Sequence, residues 1–177
     1  MEDNQSRRDN QRQPGGQSHG QVRTQPSHGG GAPSSGFNLN DAFNVVQPFI
    51  ENPSELNSGI VEDEFEIRKR LAGEVAQLKS RSETAVHNFF DQVANTLSRR
   101  NVGLDGIVNM LATMKLIAYK KGQVDRGSFP LKNSYNLIEK VVVDCIISSN
   151  EQERGLRLKR FSEFIQRLQK EAEVQGA

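Results

Sequence analysis

Residues 134–150 read SYNLIEKVVVDCIISSN, and whether they form a strand or a helix decides the fold. Val141, Val142 and Val143, with Ile146 and Ile147, favour a strand by propensity. Ile138, Val141, Val142, Cys145 and Ile146 fall instead at the spacing of one helix face. No second stretch of the chain reads as a strand that would pair with this one. The segment is therefore expected to be a helix, and the fold class all-α: a single helical bundle of about five to six helices preceded by a disordered N-terminal arm.

Outward from this segment, the same reasoning places its neighbours. On the C-terminal side, Asn150-Glu151-Gln152-Glu153 offers a capping side chain followed by a glutamate at N3, opening a helix to about residue 173. That helix carries Leu158, Phe161, Ile165, Leu168 and Ala172 at alternating three- and four-residue steps. Lys159/Glu163, Glu163/Arg167 and Arg167/Glu171 are its i,i+4 ion pairs. Its apolar row closes the bundle, or serves as a partner interface or self-association surface through Phe161, Ile165 and Leu168. Two heptads are too few for an independent coiled coil, which favours packing on its own domain.

On the N-terminal side, KKGQVDRGSFPLKNS (120–134) holds two glycines and a proline and reads as a long connection. Before it, Leu104 to Tyr119 carries Ile107, Val108, Met110, Leu111, Met114, Leu116 and Ile117. A helix apolar nearly all round is expected at the centre of a bundle. Asn101 to Gly103 supplies the turn in front of it. Phe65, Leu71, Val75 and Leu78, then Val86, Phe89, Phe90, Val93 and Leu97, give strong helical spacing. Ser80-Arg81-Ser82-Glu83 between them has capping-box spacing, so two helices meeting near residue 80 are expected, with one long helix as the alternative. Leu39, Phe43, Val46, Phe49 and Ile50 form the face of a short docking helix, capped by Asn38 or Asn40 and kept short by Pro48 and Pro53.

Three regions follow from this pattern. Residues 1–36 form an arm rich in Gln, Gly, Arg and Ser, with only Met1, Val22 and Ala32 as apolar side chains. Too little apolar surface is available there to offset ordering entropy, so disorder is expected. Residues 37–61 are the docking helix and an acidic linker, and residues 62–174 the bundle domain.

A chain of 177 residues suits one core, and a net charge of +1 supplies no global attraction to nucleic acid or an anionic membrane. No run of about 18 apolar residues is present, and MEDNQSRRDN lacks the apolar stretch of a secretory signal. The expected location is intracellular, cytoplasmic or nuclear and not secreted, with no membrane partner. Cys145 is the single cysteine, which excludes an internal disulfide. It reads as a small buried hydrophobe.

No catalytic constellation emerges. His87 and Cys145 are far apart in sequence and both on expected helices, away from glycine-rich loops and strand ends. There is no phosphate-cradling glycine motif, no HExxH and no paired-cysteine zinc spacing. Glu51, Glu55, Glu62, Asp63, Glu64 and Glu66 crowd one stretch but lack the calcium-loop pattern. Their later members complement the dipole of the helix that begins there. No enzyme activity, metal or cofactor is expected.

Charge distribution is more informative. Arg99, Arg100, Lys115, Lys120, Lys121, Arg126 and Lys132 frame the 104–119 helix against Asp105 and Asp125 alone, while residues 51–66 are purely acidic. Arg99, Arg100, Lys120, Lys121 and Arg126 are the expected phosphate contacts, with Tyr119 and Phe129 near enough to stack on unpaired bases. The expectation is a non-enzymatic nucleic-acid-associated assembly or accessory protein of nucleoprotein or capsid-associated type, with RNA favoured over DNA. The alternative is a protein-protein interaction adaptor with a helical docking domain and no nucleic-acid binding.

Overall fold

In the computed structural model, residues 36–119 and 131–177 are described, with only the backbone of residues 78–83. The expectations for the arm and for Lys120, Lys121, Arg126 and Phe129 lie outside them. The described chain is all-α: α1 (Leu39–Glu51), a 3-10 turn (Pro53–Glu55), α2 (Ser58–Ser98), α3 (Leu104–Ala118), α4 (Lys132–Ser148) and α5 (Glu151–Gln175). Among the described residues there is no strand.

The β-branched segment is helical, and its environment shows why. Tyr135, Ile138, Val141, Val142 and Cys145 are buried at helical spacing on α4. The hydroxyls of Ser148 and Ser149 donate back to the carbonyls of Asp144, at 2.7 Å, and Cys145. Both are back-bonds from a serine hydroxyl to the carbonyl four residues earlier, the local pattern serine adopts at a helix end. One residue later α5 starts with the capping box read from the sequence. Asn150 Oδ1 accepts from the Glu153 amide at 2.9 Å, and Glu153 Oε2 accepts from the Asn150 amide at 3.4 Å.

Helical backbone is continuous across Ser58–Ser98, yet α2 is not straight. Arg167 reaches Glu64 at 3.6 Å, while Gln169, two residues further along α5, reaches both His87 and Asp91. A straight helix would hold Glu64 and Asp91 about 40 Å apart, more than these side chains span. The chain therefore bends between Gly73 and His87, the interval that contains the capping-box spacing at 80–83. Both arms of α2 lie along α5, one contributing Leu71, Ala72 and Val75 to the core, the other Val86, Phe89, Phe90, Val93 and Leu97.

This arrangement makes α5 the central helix. Leu158, Phe161, Phe164, Ile165, Leu168 and Ala172 are all buried. Phe161 and Phe164 stack with ring centroids 5.7 Å apart. The row left open between core and partner is core, because Phe161, Ile165 and Leu168 are at most 1% exposed within their own chain. That corrects the reading of these three as a partner or self-association surface. A second correction concerns α3. Ile107, Met110, Met114 and Ala118 are buried and Leu111 and Ile117 pack partly buried against the core, and the helix lies on the outside against α2 and α4. An apolar circumference marked it as central, but α5 occupies that place.

The remaining elements close around this core. Asn38 caps α1, its Oδ1 accepting from the amides of Asn40 and Asp41, and the helix continues past Pro48 to Glu51. Arg160 of α5 donates to the carbonyls of Ile50 at 2.8 Å and Glu51 at 3.1 Å, so a cation completes the open end of α1. The acidic stretch divides accordingly. Glu51 faces Arg157 at 3.8 Å, Glu62, Asp63 and Glu66 are exposed, and Glu64 is buried against α5.

One interhelix contact carries a pH dependence. Asn133 Nδ2 donates to both carboxylate oxygens of Glu74, at 3.0 and 3.1 Å. Burial raises the Glu74 carboxyl above 4.5, and the Asn133 hydrogen bond and the Arg70 charge only partly oppose it. An acid whose folded pKa is raised binds protons more readily in the native state, so its contribution is present below the unfolded value and lost as pH rises through the folded one. Stability is expected to fall with rising pH just above 4.5 and, in Glu74→Gln, to lose that component. Denaturant midpoints measured across the window check this. Identical pH profiles for the two proteins would refute it.

Candidate interaction surface

The basic residues proposed as phosphate contacts are placed only in part. Arg99 and Arg100 are exposed in the turn after α2, where Arg99 is the C-cap residue. Lys115 and Lys132 lie at the other end of α3. Its 15 residues span about 22 Å, so the two basic groups do not converge on one spot.

The C-terminal end of α3 carries a basic-aromatic cluster built by α3 and α4 together. Tyr119 Oη donates to Asn136 Oδ1 at 2.9 Å, and its ring meets Tyr135 edge-on with centroids 6.1 Å apart. Lys132 Nζ lies 5.8 Å from the Tyr119 ring, and Lys115 Nζ 6.0 Å from the Tyr135 ring. Lys115 also faces Glu139 at 3.8 Å, and Tyr135 Oη donates to Glu139 Oε1 at 3.0 Å. Burial, with the Glu139 hydrogen bond and charge added to it, pushes the Tyr135 phenol well above its usual range. Tyr135 is therefore a neutral donor holding Glu139, and Glu139 in turn holds Lys115.

Neither folded candidate for nucleophilic chemistry is arranged for it. Cys145 is buried on α4, and burial, reinforced by the Asp144 charge, pushes its thiol up to about 12. A thiol in that state is not a nucleophile near neutral pH. His87 Nε2 meets Asp91 Oδ2 at 2.9 Å while Nδ1 accepts from Gln169 Nε2 at 2.9 Å, an interhelix link between α2 and α5. Among the described residues no three His, Cys, Asp or Glu side chains gather into a metal-binding group. No described helix is long and apolar enough to cross a membrane.

What the sequence did not suggest is the apolar outer face of α3. Leu104, Val108 and Leu116 are 45%, 58% and 77% exposed, and Ala112 between them is exposed too. The four residues are spaced by four and form one continuous row along the helix. A second apolar surface lies between α1 and α4, an open groove of about 530 Å³. Leu39, Phe43, Val143 and Ile147 line it with Glu139 and Lys140. Lys140 Nζ sits 4.7 Å from the Phe43 ring, and Gln47 Nε2 donates to Asp144 Oδ2 at 2.7 Å, tying the two walls together. The signal for the α3 row was present as apolar residues on all sides of one helix. Reading it required knowing that α5 is central.

The described residues form an all-helical bundle. Comparisons with protein-family models, with curated proteins and with solved structures gave no match.

Proposed function

We propose that the chain is a non-enzymatic protein-interaction adaptor, a helical docking module that works through the outer surface of α3. The observation that carries this reading is the row Leu104, Val108, Ala112 and Leu116. Scattered exposed leucines are ordinary on any protein, but a row four residues apart along a whole helix is a face, and contiguous exposed apolar faces mark contact sites. Helix-mediated recognition uses apolar anchors three and four residues apart, and each step of this row is one of four residues.

Nucleic-acid association is the second reading, supported by Tyr119 with Lys132 and Lys115 around the tyrosine pair and Lys120 and Lys121 next in sequence. A salt titration separates the two. Five neutralised phosphates on single-stranded RNA would give a log–log salt slope of about −3.5, shallower by about 0.7 for each phosphate that a variant leaves unpaired. The adaptor reading expects no saturable binding of a fluorescent single-stranded RNA at low salt, or binding unchanged in Lys120→Glu/Lys121→Glu. Binding with the steep slope, weakened and flattened in that variant while its helical content is intact, would replace it with the nucleic-acid reading.

A further inference from the structure

We propose that the chain dimerises with a second copy of itself by domain exchange: α2 opens at its bend, and each chain's α1 and first arm of α2 dock on α4 and α5 of the other. The observation behind this is that the bend has no cause in the local chain. Sharp bends in helices generally have a proline or an interrupted hydrogen-bond ladder behind them. α2 contains no proline, and its helical backbone runs unbroken from Ser58 to Ser98. Packing along α5 is what folds the two arms together, since Glu64 and Asp91 meet Arg167 and Gln169, only two residues apart on that helix. Once that packing is released, α2 is free to open while keeping its backbone hydrogen bonds.

The exchanged unit is held by side-chain contacts that a second copy reproduces one for one. Val46, Ile50, Leu71 and Val75 of the unit are fully buried. Gln47 donates to Asp144 of α4 at 2.7 Å, and Arg160 of α5 donates to the Ile50 carbonyl at 2.8 Å. The same residues meet in both forms, so exchange exposes no apolar surface, and protein concentration and the cost of the bend set the balance. One latch of the unit is a weak one. Glu64 Oε1 is buried 3.7 Å from Arg68 and 3.6 Å from Arg167 without a hydrogen bond to either, and a buried ion paired by charge alone adds little to an interface. Opening still requires the whole interface to part, so exchange is slow in the native protein and accompanies refolding. α3 lies outside the exchanged unit, and the proposal stands apart from the adaptor reading.

The test is refolding of the full chain from denaturant at about 1 mM and at about 1 µM, followed by gel filtration, because exchange depends on protomer concentration. A dimer is expected from the concentrated sample and a monomer from the dilute one, and the isolated dimer should survive dilution for the length of a column run. Exchange is read by co-refolding Gln47→Cys with Asp144→Cys and adding a short bis-maleimide. The two chains should be joined, since Gln47 of one then lies beside Asp144 of the other, and the native Cys145 is buried and does not compete. Glu51→Cys with Arg157→Cys, across the 3.8 Å ion pair, repeats the measurement at a second place. In Gln47→Cys/Asp144→Cys, joining the two thiols within one native monomer before unfolding should abolish dimer formation. Circular dichroism matching the original chain confirms that each variant folds. A monomer after concentrated refolding, a dimer that falls apart on dilution, a dimer without cross-links between chains at either place, or a dimer formed equally well by the locked protein would overturn the proposal. The last three outcomes would mean surface association in place of exchange.

Discussion

Phe161→Ala is expected to lower the stability of the helical body by about 3–5 kcal/mol, read as a shift in the denaturant midpoint at unchanged m-value. The size follows from where the ring sits. Phe161 is fully buried on the central helix, stacked on Phe164 and enclosed between the arms of α2 and its neighbours. Truncation removes the ring and leaves a void that helices pinned on several sides cannot collapse into. Against a typical domain stability of about 5–15 kcal/mol this is a large share. Ile165→Ala and Leu168→Ala should each cost about 2–5 kcal/mol for the same reason. A different result is required if the row were an intermolecular surface: a small change in stability with loss of self-association.

Much of the fold was legible because local signals and burial coincide. The Asn150/Glu153 box begins α5 where its spacing says it should, and Asn38 caps α1 through its own side chain. The β-branched run of α4 is helical because the three- and four-residue spacing of its apolar positions matches the burial available to it, which outweighs a modest strand propensity. Centrality was not legible. Hydropathy counts apolar residues around one helix but contains no information on which helix the others surround. α5 is mostly polar, with a narrow apolar row, yet Phe164 widens its buried face and α2 folds along it from two sides. α3 is apolar almost all round, and half of that surface is turned outward. The candidate site was hidden by the same gap, since an exposed row and a buried row on α3 have the same letters. Arg99 and Arg100 were identified by charge alone, and charge in sequence does not tell which basic groups converge in space. The α3 helix, about 22 Å long, stands between those two and Lys115 and Lys132 at its far end.

Glu64→Lys is expected to destabilise the body by about 3–5 kcal/mol, whereas Arg167→Ala should cost only about 1 kcal/mol. Glu64 is the buried member of the acidic stretch, its side chain 5% exposed, with its Oε1 3.7 Å from Arg68 Nε and 3.6 Å from Arg167 Nη2. Arg68 also lies over the Phe65 ring, 5.5 Å from its centroid. The carboxylate thus sits between two guanidiniums, one on its own helix and one on α5. Taking ions out of water is costly, and a buried charge is tolerated only while its partners remain. Deleting Arg167 leaves Glu64 with Arg68, and Arg167 itself is over a third exposed, so water replaces much of what it supplied. Reversing Glu64 removes the anion that both guanidiniums face and places three cations together where α2 meets α5. The comparison between the two variants is the informative quantity, because a purely surface role for the acidic stretch would make both changes small. Chemical denaturation at neutral pH measures it, and equal losses for the two variants would mean that Glu64 and Arg167 act as an isolated pair without Arg68.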